Sequence, residues 1–217
     1  MKQTVLSPWA EVDQSRLFGL SPRLDTLNGK TVGMFGDFMN VATFMLKVVE
    51  KHIRTQFPTA KFSYFRYTAE TTDIAKDGAV KPEFDAWLSQ VDCVLAFYGA
   101  VPSSSLFLGY NAAYMEQKGK PTVMAGVPRT YSAGLRGVKA RCVPGLRGVS
   151  FQPEVLDIFG RSDLAQTEKN MGAGTEAFVC QLIDGLTLPL TEEELHPMPA
   201  SQELATKTFA GTADELS

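Results

Sequence analysis

The sequence predicts an α/β fold, a Rossmann-like three-layer sandwich with a mostly parallel sheet of about four to five strands. Two observations carry this. Short, nearly continuous apolar runs such as DCVLAFYG and KPTVMAGV suit strands buried on both faces, as in a parallel sheet. Between them lie longer segments whose apolar residues recur every three to four positions, the spacing of one helical face.

The elements follow in chain order. Residues 1–28 form a mixed N-terminal arm containing Pro8 and Pro22, without a clean period. Its scattered apolar residues Val5, Leu6, Trp9, Leu17 and Phe18 suit docking on the chain's own domain or on a partner equally. GKTVGMFG gives a buried strand over about 31–35, ending in Gly36 and Asp37. In NVATFMLKVVEKHIRTQF the residues Val41, Phe44, Met45, Val48, Val49 and Ile53 share one helical face, with Asn40 as the expected N-cap and Pro58 as the stop. AKFSYFRY alternates as a strand does, and a loop with Thr71, Thr72 and Gly78 leads to KPEFDAWLSQV, a short helix with Pro82 in its first turn. After the strand DCVLAFYG and a serine loop, LFLGYNAAYMEQKG is a helix closed by Gly119 at its C-cap. KPTVMAGV is the next strand, PRTYSAGLRGVKAR a helix weakened by Gly134 and Gly137, and LRGVSF an edge strand. A loop with Pro153 and Gly160 follows, then the amphipathic helix TEAFVCQLIDGL. The expected division is an arm over 1–28, a Rossmann-like domain over 29–190 and a polar C-terminal tail over 191–217, mobile beyond a turn at 192–195.

A chain of 217 residues fits one domain with extensions. With 21 basic against 24 acidic residues and a net charge of −3, no electrostatic footprint points to nucleic acid or an anionic membrane surface. No apolar run approaches the roughly 20 residues of a membrane span, and MKQTVLSPWAEVDQSRL lacks a signal-peptide core, so the expectation is a cytoplasmic protein. The three cysteines are widely spaced without a CxxC, and the only histidines are His52 and His196, so neither a metal nor another cofactor is expected. Cys93 and Cys180 are expected in the core, and Cys142, beside Arg141, is a lesser candidate for a reactive thiol.

In a parallel sheet, ligands bind beyond the carboxyl ends of the strands where strand order reverses, which selects the loops 36–40, 98–105 and 126–131. In the second loop, Ser103, Ser104 and Ser105 would add hydroxyls to the free amides and partial positive charge of a helix start, a setting for an anion. One serine acting only as an N-cap is the plain alternative. A nucleophilic Ser104 would need a base, and neither histidine lies near a strand end. The first loop carries G-x-x-G, not G-x-G-x-x-G, so a nicotinamide dinucleotide is not indicated. Asp37 there is a candidate base, or a turn residue after Gly36; Asn40 is a cap or a ligand contact, and Phe38 and Met39 are pocket walls or packing. In the third loop Arg129 is a candidate carboxylate clamp and Tyr131 a proton donor, with a plain surface arginine as the alternative. The candidate catalytic set is thus Asp37, Ser104 and Tyr131, and the candidate binding set Asn40, Tyr98, Ser103, Ser105 and Arg129. Glu116, late in its helix, is expected to be solvated.

The run LDTLNGKTVGMFGDFMNVATFML, followed by VDCVLAFYGAVPSSS and AAYMEQKGKPTV, resembles the UGSC-like family and, more distantly, the selenoprotein B component of glycine and betaine reductases. Leu27, Gly29, Lys30, Val32 and Gly33 match the family's opening strand, and Glu116, Gly119, Pro121, Thr122 and Val123 match the close of its helix. The resemblance covers about residues 22–127. Where the family has selenocysteine or cysteine, then Gly, Ser and Cys, this chain reads Val101, Pro102, Ser103, Ser104. An unactivated hydroxyl does not replace a thiolate as a nucleophile, so the family's thiol chemistry is not expected. The resemblance then implies either of two readings. One is an enzyme or enzyme subunit doing acid–base chemistry on a small carboxylate-bearing metabolite. The other is a non-catalytic subunit or anion-binding module of a hetero-oligomer, whose related partner carries the reactive cysteine. A homo- or hetero-oligomer fits both.

Overall fold

A computed structural model describes residues 16–36, 40–67, 73–158 and 161–198, without the side chain of Tyr98. Asp37, Phe38, Met39, Thr71, Thr72 and Gly160 lie outside the described residues, as do Val5, Leu6 and Trp9 of the arm.

Five strands form one all-parallel sheet: β1 (Thr31–Gly36), β2 (Lys61–Arg66), β3 (Cys93–Gly99), β4 (Thr122–Gly126) and β5 (Gly148–Ser150). Their spatial order is β2-β1-β3-β4-β5. The helices are α1 (Asn40–Gln56), α2 (Lys81–Ser89), α3 (Pro102–Gln117), α4 (Pro128–Ala140), α5 (Leu164–Met171), α6 (Thr175–Thr187) and the short α7 (Glu192–Leu195). The chain first steps from β1 outward to β2, then returns past β1 to β3 and continues to β5. Right-handed crossovers require the connecting helices to change face when the direction of travel reverses. Accordingly α1 packs on one face, and α2, α3 and α4 pack on the other. After β5 the chain returns with α5 and α6 to the face of α1.

Side-chain alternation along the strands fills both layers. Val32, Met34, Cys93, Leu95, Phe97, Val123 and Ala125 face α1 and α6, while Phe35, Val94, Ala96 and Met124 face α2, α3 and α4. This two-sided burial is why the strands read as continuous apolar runs. Phe151 and Phe178 stack at 4.2 Å on the first face. On the second, Phe84 meets Phe35, Phe65 and Trp87 at 5.1–5.7 Å. Helices α3 and α4 touch through glycines. A methyl group on Gly109 would lie 2.1 Å from Gly134 O, and one on Gly137 would lie 2.2 Å from Leu106 O. The glycines expected to weaken α4 are thus what lets it approach its neighbour.

Three expectations are corrected. The segment expected as loop before the last long helix contains α5, started by Asp163, whose Oδ1 accepts from Gln166 N at 2.8 Å. Its buried positions include Thr167 and Asn170, so no apolar stripe marks it in the sequence. Cys180 is exposed on α6, whereas Cys93 is buried as expected. Glu116 is not solvated but 2% exposed. It accepts from Ser21 N at 2.6 Å, Thr122 N at 2.8 Å and Arg23 Nη1 at 2.9 Å. Burial pushes its pKa up, opposed by the Arg23 guanidinium and the two amides. The carboxylate ties the arm to the amino end of β4. Further along, Phe18 N donates to Cys142 O, Leu20 N to Glu194 O and Leu24 N to Leu186 O. Among the described residues no helix is long and apolar enough to cross a membrane.

Candidate functional site

Strand order reverses between β1 and β3, so the crevice that this topology opens lies between their carboxyl ends. β1, β3 and β4 each end in glycine, at Gly36, Gly99 and Gly126. Helices α1 and α3 start from opposite faces at this end of the sheet.

The start of α3 is tightly built. The pairing of β3 with β4 shifts register between Ala96 and Gly99, a bulge that turns Gly99 toward α3. A methyl group on Gly99 would lie 2.3 Å from Ser105 Oγ and 2.6 Å from Ser105 Cα, so only glycine fits there. Val101 is extended (φ −128°, ψ 156°) and serves as N-cap, with Pro102 as the first helical residue. None of the serines is therefore the N-cap; all three fall in the first turn. Ser103 is exposed. Ser104, 2% exposed, donates its hydroxyl to Val101 O at 3.0 Å and accepts from Val101 N at 3.3 Å. This is the side-chain-to-N-cap half of a capping box; valine has no oxygen for the other half. Ser105, 3% exposed, donates its amide to Val101 O at 2.9 Å, yet its buried hydroxyl has no hydrogen-bond partner.

Across the crevice, Thr43 Oγ1 on α1 is likewise buried without a partner, 3.7 Å from where a methyl on Gly36 would sit. Two orphan hydroxyls thus lie against the glycines that end β1 and β3. Buried polar groups are normally satisfied; Arg23 Nε and Nη2 and Asp73 Oδ1 are unpartnered as well, so the two hydroxyls single out the crevice only together with its place at the switch point. Asn40, the first residue of α1, is exposed, and its Oδ1 accepts from Arg66 at the end of β2. Asp37 and the Tyr98 side chain lie outside the described residues.

The third loop contributes differently from expectation. Arg129 is exposed in the first turn of α4. Tyr131 is half-buried, and burial raises its pKa. Its hydroxyl lies 2.2 Å from where a methyl on Gly148 would sit, and Gly148 pairs with Met124, two residues before β4 ends. The phenol therefore leans along β5, away from the crevice. Thr130, not singled out from the sequence, is 4% exposed and donates its hydroxyl to Gly99 O at 3.1 Å. A threonine among small and charged residues gives no pattern by which this bond is foreseeable.

The start of α3 carries no thiol. Cys93 begins β3 at the far end of the sheet, and burial pushes its thiol up to about 12. Cys142 follows α4, and the Arg141 guanidinium beside it goes to Asp73 and lies 5.5 Å from the Tyr110 ring centroid. Among the described residues no group of three or more His, Cys, Asp or Glu is placed to hold a metal ion.

Fold and crevice together define a doubly wound α/β protein with its switch point between β1 and β3. The particular family follows from comparison: the UGSC family model matches residues 4–128, more than half of the chain, and the chain belongs to the UGSC family. The match ends at Pro128, so it takes in β1 to β4 and both helix starts that flank the crevice. No curated protein and no solved structure matches the chain.

Proposed function

We propose that this chain is an enzyme, or an enzyme subunit, that binds a small carboxylate-bearing metabolite at the β1/β3 switch point and acts on it by acid–base chemistry. The observation that supports this most is the Ser105 hydroxyl, buried and unpartnered in the first turn of α3 beside the last residue of β3. Helix-start amides carry partial positive charge and favour an anion, and a hydroxyl donor beside them adds to that preference. Ser103 and Ser105 are the proposed donors, with Asn40, Tyr98 and Arg129 as further contacts from the surrounding loops. Addition, elimination, isomerisation and hydrolysis share the need for a proton carrier and a held anion. Asp37 is the proposed carrier, since it directly follows β1; the Tyr131 hydroxyl, turned toward Gly148, is the less favoured one.

One observation favours a second reading. The Ser104 hydroxyl is committed to both polar groups of Val101, which leaves no activated nucleophile where the family's motif has its thiol. A non-catalytic, anion-holding subunit beside a cysteine-bearing relative in a cytoplasmic hetero-oligomer accommodates that commitment.

Titration of the purified chain with malonate and sulfate, followed by backbone amide NMR, tests the shared part. The expected result is saturable shifts at Ser103, Ser104 and Ser105; shifts confined to other regions would sink it. Turnover of carboxylate substrates by the chain alone, against turnover only when a related cysteine-bearing subunit is added, separates the two readings.

A further inference from the structure

We propose that Thr130 is a positioning residue for the anion site, holding the β3–α3 turn in shape from the neighbouring β4–α4 loop. The proposal rests on the reading of the α3 start as the binding site.

Gly99 is clamped from two sides. On one side Ser105 sits so close that no side chain fits on Gly99. On the other, the Gly99 carbonyl accepts from Thr130 Oγ1 at 3.1 Å and from Val127 N at 3.3 Å. Thr130 is itself fixed, because its amide donates to Val127 O at 3.1 Å within the first turn of α4. The register of β3 against β4 shifts between Ala96 and Gly99, so the two residues just before Gly99 have no ladder partner in β4 and pairing resumes only at Gly99 and Gly126. The threonine hydroxyl adds a hold on the chain just past that interruption. Ser105 N to Val101 O and the Ser104–Val101 pair then transmit the position of Gly99 to the first turn of α3. Helix-start amides bind an anion well only when already aimed, so loosening Gly99 weakens binding without removing any group that touches the ligand. On this account the third loop serves the site through a buried residue, and the exposed Arg129 beside it is not needed for that role.

The test compares Thr130→Val, which keeps shape but loses the donor, with Thr130→Ser, which keeps the donor. Gly185→Ala is the control: its methyl group would lie 2.6 Å from Val123 Cγ2, so it strains the α6–β4 contact on the other face of the sheet and lowers stability without touching Gly99 or α3. Malonate affinity is read from the Ser103 and Ser104 amide shifts, and hydrogen exchange at the Ser105 amide is measured without ligand. Loss of one hydrogen bond corresponds to weakening by about fivefold to tenfold. The expected result is that weakening in Thr130→Val, with faster Ser105 exchange relative to the strands, and near-normal values for both in Thr130→Ser and Gly185→Ala. Unchanged affinity and exchange in Thr130→Val overturn the proposal, as does an equal loss in Gly185→Ala. If the wild type shows no malonate shift at α3, the binding reading fails. Ser105 exchange then decides separately whether Thr130 holds the turn, and unchanged exchange overturns that too.

Discussion

Cys142 has a φ of +60°, the only non-glycine residue in the left-handed region among those described. It stands just after α4, where its amide donates to Lys139 O and Val143 N donates to Val138 O, the wrapped ending that glycine usually supplies. A side chain in this conformation costs roughly 1 kcal/mol, and the bond from Phe18 N goes to the Cys142 backbone carbonyl, which a substitution keeps. Cys142→Gly is therefore expected to raise stability by about 0.5–1 kcal/mol, or about 1–4 °C in Tm, in a thermal melt. A fall in Tm would mean that the thiol packs productively. Ser104 behaves oppositely. Its hydroxyl closes the first turn of α3 by bonding both polar groups of Val101, so Ser104→Ala is expected to cost about 1 kcal/mol in urea denaturation. A cost near zero would show that the turn holds without it. The three serines mark the right place in the sequence, but their division of labour depends on which hydroxyl points back to Val101 and which points under Gly99. That is a rotamer-level fact, and residue types do not encode it.

At the scale of elements, α3 and α4 form the closest helix pair, and the contact is made by backbone. Gly109 faces the Gly134 carbonyl and Gly137 faces the Leu106 carbonyl, leaving no room for a methyl group. Gly109→Ala and Gly137→Ala should each destabilise by about 1–3 kcal/mol through forced separation of the helices, although alanine has the better helix propensity. Denaturation midpoints check this, and a stabilised variant would refute the close approach. The same elements show what was legible from sequence. β1, β3 and β4 announce themselves because burial on both faces leaves only apolar residues and glycine at their centres, and α1 because its apolar face is regular. The crevice follows from that alternation of strand and helix alone, since the reversal of strand order is built into a doubly wound sheet. By contrast α5 buries threonine and asparagine, and Glu116 looks like any charge late in a helix until the arm folds over it. Both depend on partners far away in sequence, which periodicity does not reach.

At the scale of the whole molecule, the two ends of the described chain meet beneath the amino ends of the strands, opposite the candidate site. Arg147 organises this clasp. Its guanidinium grips Glu194 through Nε at 2.7 Å and Nη2 at 2.9 Å, and it also donates to Leu188 O and Pro189 O. Glu194 O in turn accepts from Leu20 N, and Gly19 passes so near Leu195 O that a methyl group would lie 1.9 Å from it. The hydrogen bonds from Arg147 hold the Glu194 carboxyl down at about 2. A carboxylate with a depressed folded pKa contributes stability that is complete above its ordinary value of 4.5 and is lost as pH falls from there toward about 2. Glu116, whose pKa burial raises, acts with the opposite sign: the native state holds its proton longer, so acid favours rather than weakens that site. The clasp at Arg147 should therefore loosen in acid before the buried anchor at Glu116 does. Hydrogen exchange, corrected for its intrinsic pH dependence, is expected to show residues 191–196 and the Leu20 amide losing protection between pH 4.5 and 3 ahead of β3 and β4. Glu194→Gln should abolish that difference, because the amide no longer titrates. If both regions lose protection in parallel, or if Glu194→Gln leaves the difference intact, Glu194 is not what fastens the two ends together.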